Sequence, residues 1–129
     1  MTLQKQILYV LQLKRNSKLY AKIGETQQDL PKRIAGFGFG GKWKGLEKDV
    51  RPYRKYDTLL APTIEREVKK ILRRKKWKSL QLKDRNMGRG YTEWYFMSPK
   101  QMNGIVVKCF DKLKKNDPIV KNWLKELGA

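Results

Sequence analysis

One acid in this chain sits where an acid is hard to accommodate. Glu93 lies in Gly90-Tyr91-Thr92-Glu93-Trp94-Tyr95-Phe96. A carboxylate in so aromatic a run costs stability unless it faces outward or binds a cation or a metal. Upstream, Leu8-Tyr9-Val10 and Tyr20-Ala21-Lys22-Ile23-Gly24-Glu25-Thr26 hold phenols and an ammonium in strand-like surroundings, and Arg33 follows beside the buried face of a short helix. Each of these has a structural use as well: a strand tyrosine packs, and an arginine on an amphipathic helix is solvated. The chain contains no histidine. Histidine-based zinc sites, His-dependent triads and His general bases are thereby excluded, and any catalysis must run on carboxylate, Tyr, Lys or Arg.

The overall charge narrows the partner. Thirty-one Lys and Arg against twelve Asp and Glu give +19 over 129 residues. Self-repulsion on that scale is relieved by a polyanion, and nucleic acid is the first reading. An acidic membrane surface would call for a basic amphipathic helix with a clean apolar face at one terminus, whereas the aromatics here are scattered among the charges. No apolar run approaches the ~20 residues of a membrane span. The single cysteine, Cys109, excludes an intramolecular disulfide, reads as an inert core thiol and argues for an intracellular compartment: the cytoplasm, or a host cytoplasm for a phage-encoded protein.

The elements that must position these groups follow from pattern. Gln6 to Lys14 is apolar and β-rich, Arg15-Asn16-Ser17-Lys18 forms a turn, and Leu19 to Gly24 returns as the second strand of a hairpin. Thr26 is expected to cap a helix whose buried face is Leu30, Ile34 and Phe37. Gly36, Gly38, Gly40 and Gly41 end it in a flexible loop; the cluster lacks the Gly-Lys-Ser/Thr ending of a phosphate loop and follows a helix instead of opening one. Arg51 to Leu60 reads as a third strand. Pro62 suits the first turn of a helix with a core stripe of Ile64, Val68, Ile71 and Leu72, its other faces crowded by Lys69, Lys70 and Arg73 to Lys76. Thr92 to Met97 reads as a short aromatic strand carrying Glu93. Ser98-Pro99-Lys100-Gln101 is a capping box opening a helix through Met102, Val106, Cys109, Phe110 and Leu113. Asp117-Pro118 starts a last helix with Val120, Trp123, Leu124 and Leu127 on its packed face. The expectation is one α+β domain over 1–129: a small, largely antiparallel sheet of three or four strands flanked by helices, with a helical part at about 99–129.

This ordered set of motifs resembles the GIY-YIG nuclease superfamily, and specifically its branch related to the phage T5 Orf172 domain. That branch is similar in reading Tyr-x-Lys-Ile-Gly-x-Thr, here Tyr20 to Thr26, in an arginine about nine residues on, in a helical glutamate (Glu65 in Ile64-Glu65-Arg66-Glu67-Val68) and in a closing Glu93-Trp94-Tyr95. The similarity runs from about Ile7 to Phe110.

The resemblance implies roles. Tyr9 matches the tyrosine that positions or deprotonates the attacking water. Lys22 stands where the second tyrosine usually does, Gly24 is the motif glycine, Arg33 matches the arginine that stabilises the transition state, and Glu93 matches the glutamate that binds the divalent metal, Mg²⁺ or Mn²⁺. The chain departs from the pattern in Ile7-Leu8-Tyr9 for Gly-Ile-Tyr and in Phe37, where many members carry His or Tyr. Either Tyr20 supplies that hydroxyl, or Tyr9 and Lys22 activate the water alone. Asn103 is the nearest candidate for an asparagine found on the helix after the metal glutamate. The chemistry agrees: Arg33 is a planar fork that never deprotonates. A metal on one carboxylate keeps several waters. A tyrosine with a pKa near ~10 needs Lys22 and the metal to favour its phenolate.

For substrate grip, Lys42-Trp43-Lys44 and Arg73-Arg74-Lys75-Lys76-Trp77-Lys78 pair cations with indoles, and Arg85 and Arg89 lie in a basic loop leading to Glu93. Cations release counterions from a phosphate backbone, and an exposed Trp can stack on a base; Trp77 reads equally well as packed into the core. The function implied is a metal-dependent endonuclease on DNA, RNA not being excluded. The rivals are a basic nucleic-acid-binding module of the same fold with little or no cutting, and a ribosomal or RNA-chaperone-like protein. With no separate recognition domain in view, targeting falls to this domain, to a homodimer or to a partner protein.

Overall fold

The structure is a computed structural model that describes residues 6–116, together with Asn122 and Lys125. The helix expected after Asp117 falls outside the described residues, apart from those two positions.

A two-residue turn sets the geometry of everything that follows. Asn16 and Ser17 both adopt positive φ, 53° and 64°, the backbone whose twist matches that of a tight hairpin. They join β1 (Gln6–Arg15) to β2 (Lys18–Thr26) with Tyr9 opposite Gly24, Leu11 opposite Lys22 and Leu13 opposite Tyr20. Because side chains alternate across a strand, those six residues share one face, and Val10 and Ile23 share the other. β3 (Arg51–Thr58) pairs antiparallel with β1, with a register shift at Val10/Leu11, and β4 (Trp94–Tyr95) pairs antiparallel with β2, giving the order β3-β1-β2-β4.

Both faces are covered. On the Val10 face lie α2 (Ala61–Leu72) and α4 (Pro99–Asn116), bringing Ile64, Val68, Leu72, Met102, Val106 and Phe110 onto Leu8, Val10, Ala21 and Ile23. The opposite face receives α1 (Leu30–Ala35) and the chain after it, with Leu30, Ile34, Phe37, Phe39 and Trp43 on Tyr9, Leu11, Leu13 and Trp94. A four-residue α3 (Lys75–Lys78) follows α2. The capping box forms as expected: Ser98 Oγ accepts from Gln101 N at 3.1 Å, and Gln101 Oε1 accepts from Ser98 N at 3.2 Å. The result is an α+β fold with a four-stranded antiparallel sheet.

Two expectations are corrected. Thr26 belongs to β2, and its Oγ1 accepts from Gln28 N at 3.0 Å, so it closes a turn; Asp29 occupies the N-cap of α1, with Pro31 in the first helical turn. The strand expected over Thr92 to Met97 shrinks to Trp94–Tyr95, and Tyr91–Glu93 forms a 3₁₀ turn. Glu93 therefore precedes the strand, where it is free to turn toward polar partners.

Candidate active site

β4 pairs with β2 only at Ala21 and Lys22. Beyond Lys22, the edge of β2 is left to side chains, and Glu93 stands beside that edge. Lys22 leaves the Tyr9 face fully buried and is bound to Glu93 Oε2; its Nζ also donates to the Gly90 carbonyl at 3.3 Å. Lys69 arrives from α2, on the other face, and its Nζ lies 2.7 Å from Glu93 Oε1 and 2.5 Å from Glu65 Oε1. Glu93 keeps 21% of its side chain exposed. Burial raises its pKa, but the two ammonium groups outweigh burial and hold it below the usual carboxylate range. Desolvation pushes Lys22 down, with Glu93 opposing. Lys69 loses by burial and gains more from Glu65 and Glu93, so it is raised. Gly90 closes the corner with φ of +77°, and a Cβ there would collide with Lys22 Nζ.

The phenol and the guanidinium complete the cluster on the Tyr9 face. Tyr9 is buried, and its hydroxyl lies so close to Gly24 that any Cβ at that position would overlap it. Burial raises its pKa, and the Arg33 guanidinium beside it pulls the other way. The expectation that Lys22 favours the phenolate is corrected: the cation acting on Tyr9 is Arg33, and burial wins. Arg33 Nε is buried with no hydrogen-bond partner among the described residues. Phe37 lies between the two cations, with Lys22 Nζ 5.3 Å and Arg33 Cζ 5.8 Å from its ring centroid. The ring thus supplies a cation-binding face where the related pattern has a hydroxyl or imidazole. Tyr9 with Arg33 and Lys22 with Glu93 thus form two pairs, with both cations near the Phe37 ring; Arg33 lines a recess with Gln6, Glu25, Thr26, Gln27 and Gln28, and Glu93 lines the cleft beside Lys69.

The stretch of chain that carries these residues coincides with a known domain. Residues 6–111 match the family model of the T5orf172 domain. The chain belongs to the T5orf172 domain family. This domain is associated with nuclease-like families. Comparison with curated proteins gave no match, and comparison with solved structures gave none.

In this T5orf172 domain the remaining candidates fall elsewhere. Tyr20 packs edge-on against Trp43 (centroids 5.3 Å apart) and tilted against Phe96 (5.4 Å), in an aromatic group two residues along β2 from Lys22. Asn103 accepts from the Tyr56 hydroxyl at 2.6 Å, which ties it to β3, the sheet edge opposite β4. Trp43 is buried, and its Nε1 donates to Asp84 Oδ2 at 2.8 Å; the expectation of an exposed stacking platform there is corrected. Its neighbours Lys42 and Lys44 are exposed, as are Arg73, Arg74, Lys75, Lys76, Lys78, Arg85 and Arg89. Arg73 and Lys78 line a cleft of about 350 Å³ that also holds Lys69 and Glu93, whereas Arg85 and Arg89 flank a second recess at Phe37 and Gly90. Trp77 is half-buried against the α2 core, with Lys76 Nζ 5.0 Å from its ring centroid.

Lys69 is not among the candidates that the sequence singles out. Its signal is present in the Glu65-x-x-x-Lys69 spacing, which places opposite charges on one helical face, but the crowd of lysines around it hides it. Among the described residues, no group of three or more Asp, Glu, His or Cys is gathered to hold a metal. A magnesium-like ion needs only one or two carboxylates and its own waters. Glu93 Oε1, with Glu65 nearby, meets that requirement once Lys69 moves aside.

Proposed function

We propose that the chain is a metal-dependent endonuclease of GIY-YIG type that hydrolyses DNA phosphodiester bonds at the Tyr9–Lys22–Arg33–Glu93 cluster. The observation that carries this reading is the Arg33 guanidinium bonded to the Tyr9 hydroxyl while it lines an open recess with Gln6, Thr26 and Gln28. A phosphate oxygen is the acceptor that a guanidinium fork fits best. In this reading Arg33 binds the non-bridging oxygens and stabilises the charge that grows on them during attack. Tyr9 orients the attacking water and takes its proton as phenolate. Lys22 holds Glu93 in place from the buried side. A divalent ion on Glu93, when bound, supplies Lewis-acid help to the leaving oxygen. The net charge of +19 draws DNA to the domain.

A second reading has an observation of its own. Both oxygens of Glu93 are engaged by ammonium groups, an arrangement that suits a basic binding module with little or no cutting. Nicking of supercoiled plasmid separates the two. The nuclease reading expects Mg²⁺- or Mn²⁺-dependent nicking by the wild type that disappears in Glu93→Ala and Arg33→Ala. Tight binding with no nicking under any metal contradicts it and favours the module.

A further inference from the structure

We infer that Lys69 is the resident counter-ion of Glu93 and occupies the place that a divalent cation must take, so that its withdrawal sets how tightly this site binds metal. The inference rests on the metal role given to Glu93 above.

Glu93 has two oxygens, and they differ in how easily they can be vacated. Oε2 is held by Lys22, whose side chain is fully buried and anchored a second time on the Gly90 carbonyl. That ammonium has nowhere to go. Oε1 is held by Lys69 at 2.7 Å, and Lys69 keeps 31% of its side chain exposed. It also has an alternative partner: Glu65, one helical turn earlier on α2, lies 2.5 Å from the same Nζ. Lys69 can therefore release Glu93 without becoming an unpaired buried charge. The oxygen it releases opens on the cleft of about 350 Å³ that Lys69, Arg73, Lys78 and Thr92 line with Glu93 itself.

Two ammonium groups and a doubly charged ion cannot share one carboxylate without strong like-charge repulsion. Metal and Lys69 therefore compete for Oε1. Lys22 remains on Oε2 in both states, keeping the carboxylate aimed at the cleft. Lys69 keeps its contact with Glu65 and gives up Oε1 to the metal, so the site holds a cation at Oε1 whether or not metal is present. Such an exchange keeps Glu93 from being left half-desolvated and bare, and makes metal affinity a property of α2 as well as of the β4 segment.

Equilibrium binding of Mn²⁺ to the full chain, read from the loss of the free-ion paramagnetic resonance signal, tests this without recourse to activity. Lys69→Met and Lys69→Gln are each expected to bind Mn²⁺ roughly ten-fold tighter than the wild type, the scale of removing one partly exposed competing charge. Adding Glu93→Gln to Lys69→Met should abolish the gain. Wild-type or weaker affinity in both Lys69 variants, with binding still lost in Glu93→Gln, overturns the role of Lys69 and leaves Glu93 as the metal ligand. Binding indifferent to Glu93→Gln, or no binding by any variant, overturns the metal role of Glu93 and this inference with it.

Discussion

Glu93, Tyr9 and Arg33 each carry a consequence that can be measured one side chain at a time. Because Glu93 is held below the usual carboxylate range by Lys22 and Lys69, it contributes stability that is present above the unfolded-state value and lost as pH falls through its folded value. Glu93→Gln leaves Lys22 buried against a neutral group, an uncompensated charge costing about 3 kcal/mol at neutral pH. Denaturant unfolding at a series of pH values should show that gap narrowing on the acid side of about pH 4. A gap that is independent of pH would mean the ion pair contributes nothing. Tyr9 titrates the other way: burial raises it, with Arg33 opposing. If the phenolate is the base, the cleavage rate climbs with pH into the alkaline range, and Tyr9→Phe flattens that rise. Arg33→Ala should move the rise to still higher pH, since a cation favouring the phenolate is gone.

At the scale of elements, the hairpin register is what brings phenol and glycine together. Gly24→Ala places a methyl on the Tyr9 hydroxyl. Tyr9 must then swing out of its buried seat, and activity should fall at least ten-fold while the far-UV spectrum of the sheet is retained. Unchanged activity would show that Tyr9 does not act from its buried position. The hairpin itself is readable from the sequence, since Asn16-Ser17 between two apolar runs has few other uses; so are the capping box at Ser98 and the core stripes of α2 and α4. What the sequence misrepresents has two causes, a neighbouring turn that claims a local group and a distant partner that claims another. Thr26 has the pattern of a helix cap, but its hydroxyl serves the turn at Gln28 and Asp29 takes the cap position. Trp43 has the pattern of an exposed indole between lysines; Asp84, distant in sequence, accepts from its Nε1 and fixes it inside. Trp43→Ala is accordingly expected to cost about 3–5 kcal/mol of stability, whereas a stacking residue would lower DNA affinity and leave stability unchanged. The candidate site is legible as a set of residue types, Tyr9, Lys22, Arg33 and Glu93. Lys69 is not, because nothing local distinguishes it from the lysines and arginines that follow.

Across the whole molecule, exposed cations stand on more than one side of the candidate site. Arg73 and Lys78 line the cleft that holds Glu93, with exposed Arg74, Lys75 and Lys76 next to them in the chain, while Arg85 and Arg89 flank the recess on the Phe37 side. Binding of a short DNA duplex should weaken steeply with salt. Replacing Arg73, Arg74, Lys75 and Lys76 with Gln should lower the log–log slope by about one for each phosphate that is no longer neutralised. An unchanged slope would place the DNA on another face. Among the described residues no helix is long and apolar enough to cross a membrane.

In the proposed reaction Arg33 stabilises a phosphodiester transition state instead of merely gripping DNA. Single-turnover cleavage of an end-labelled duplex in Mn²⁺, with binding measured in parallel, tests it most directly. Arg33→Ala is expected to slow cleavage by about 10²–10³ while DNA affinity drops only a few-fold. Equal losses of rate and affinity, or cleavage at the wild-type rate, would contradict it.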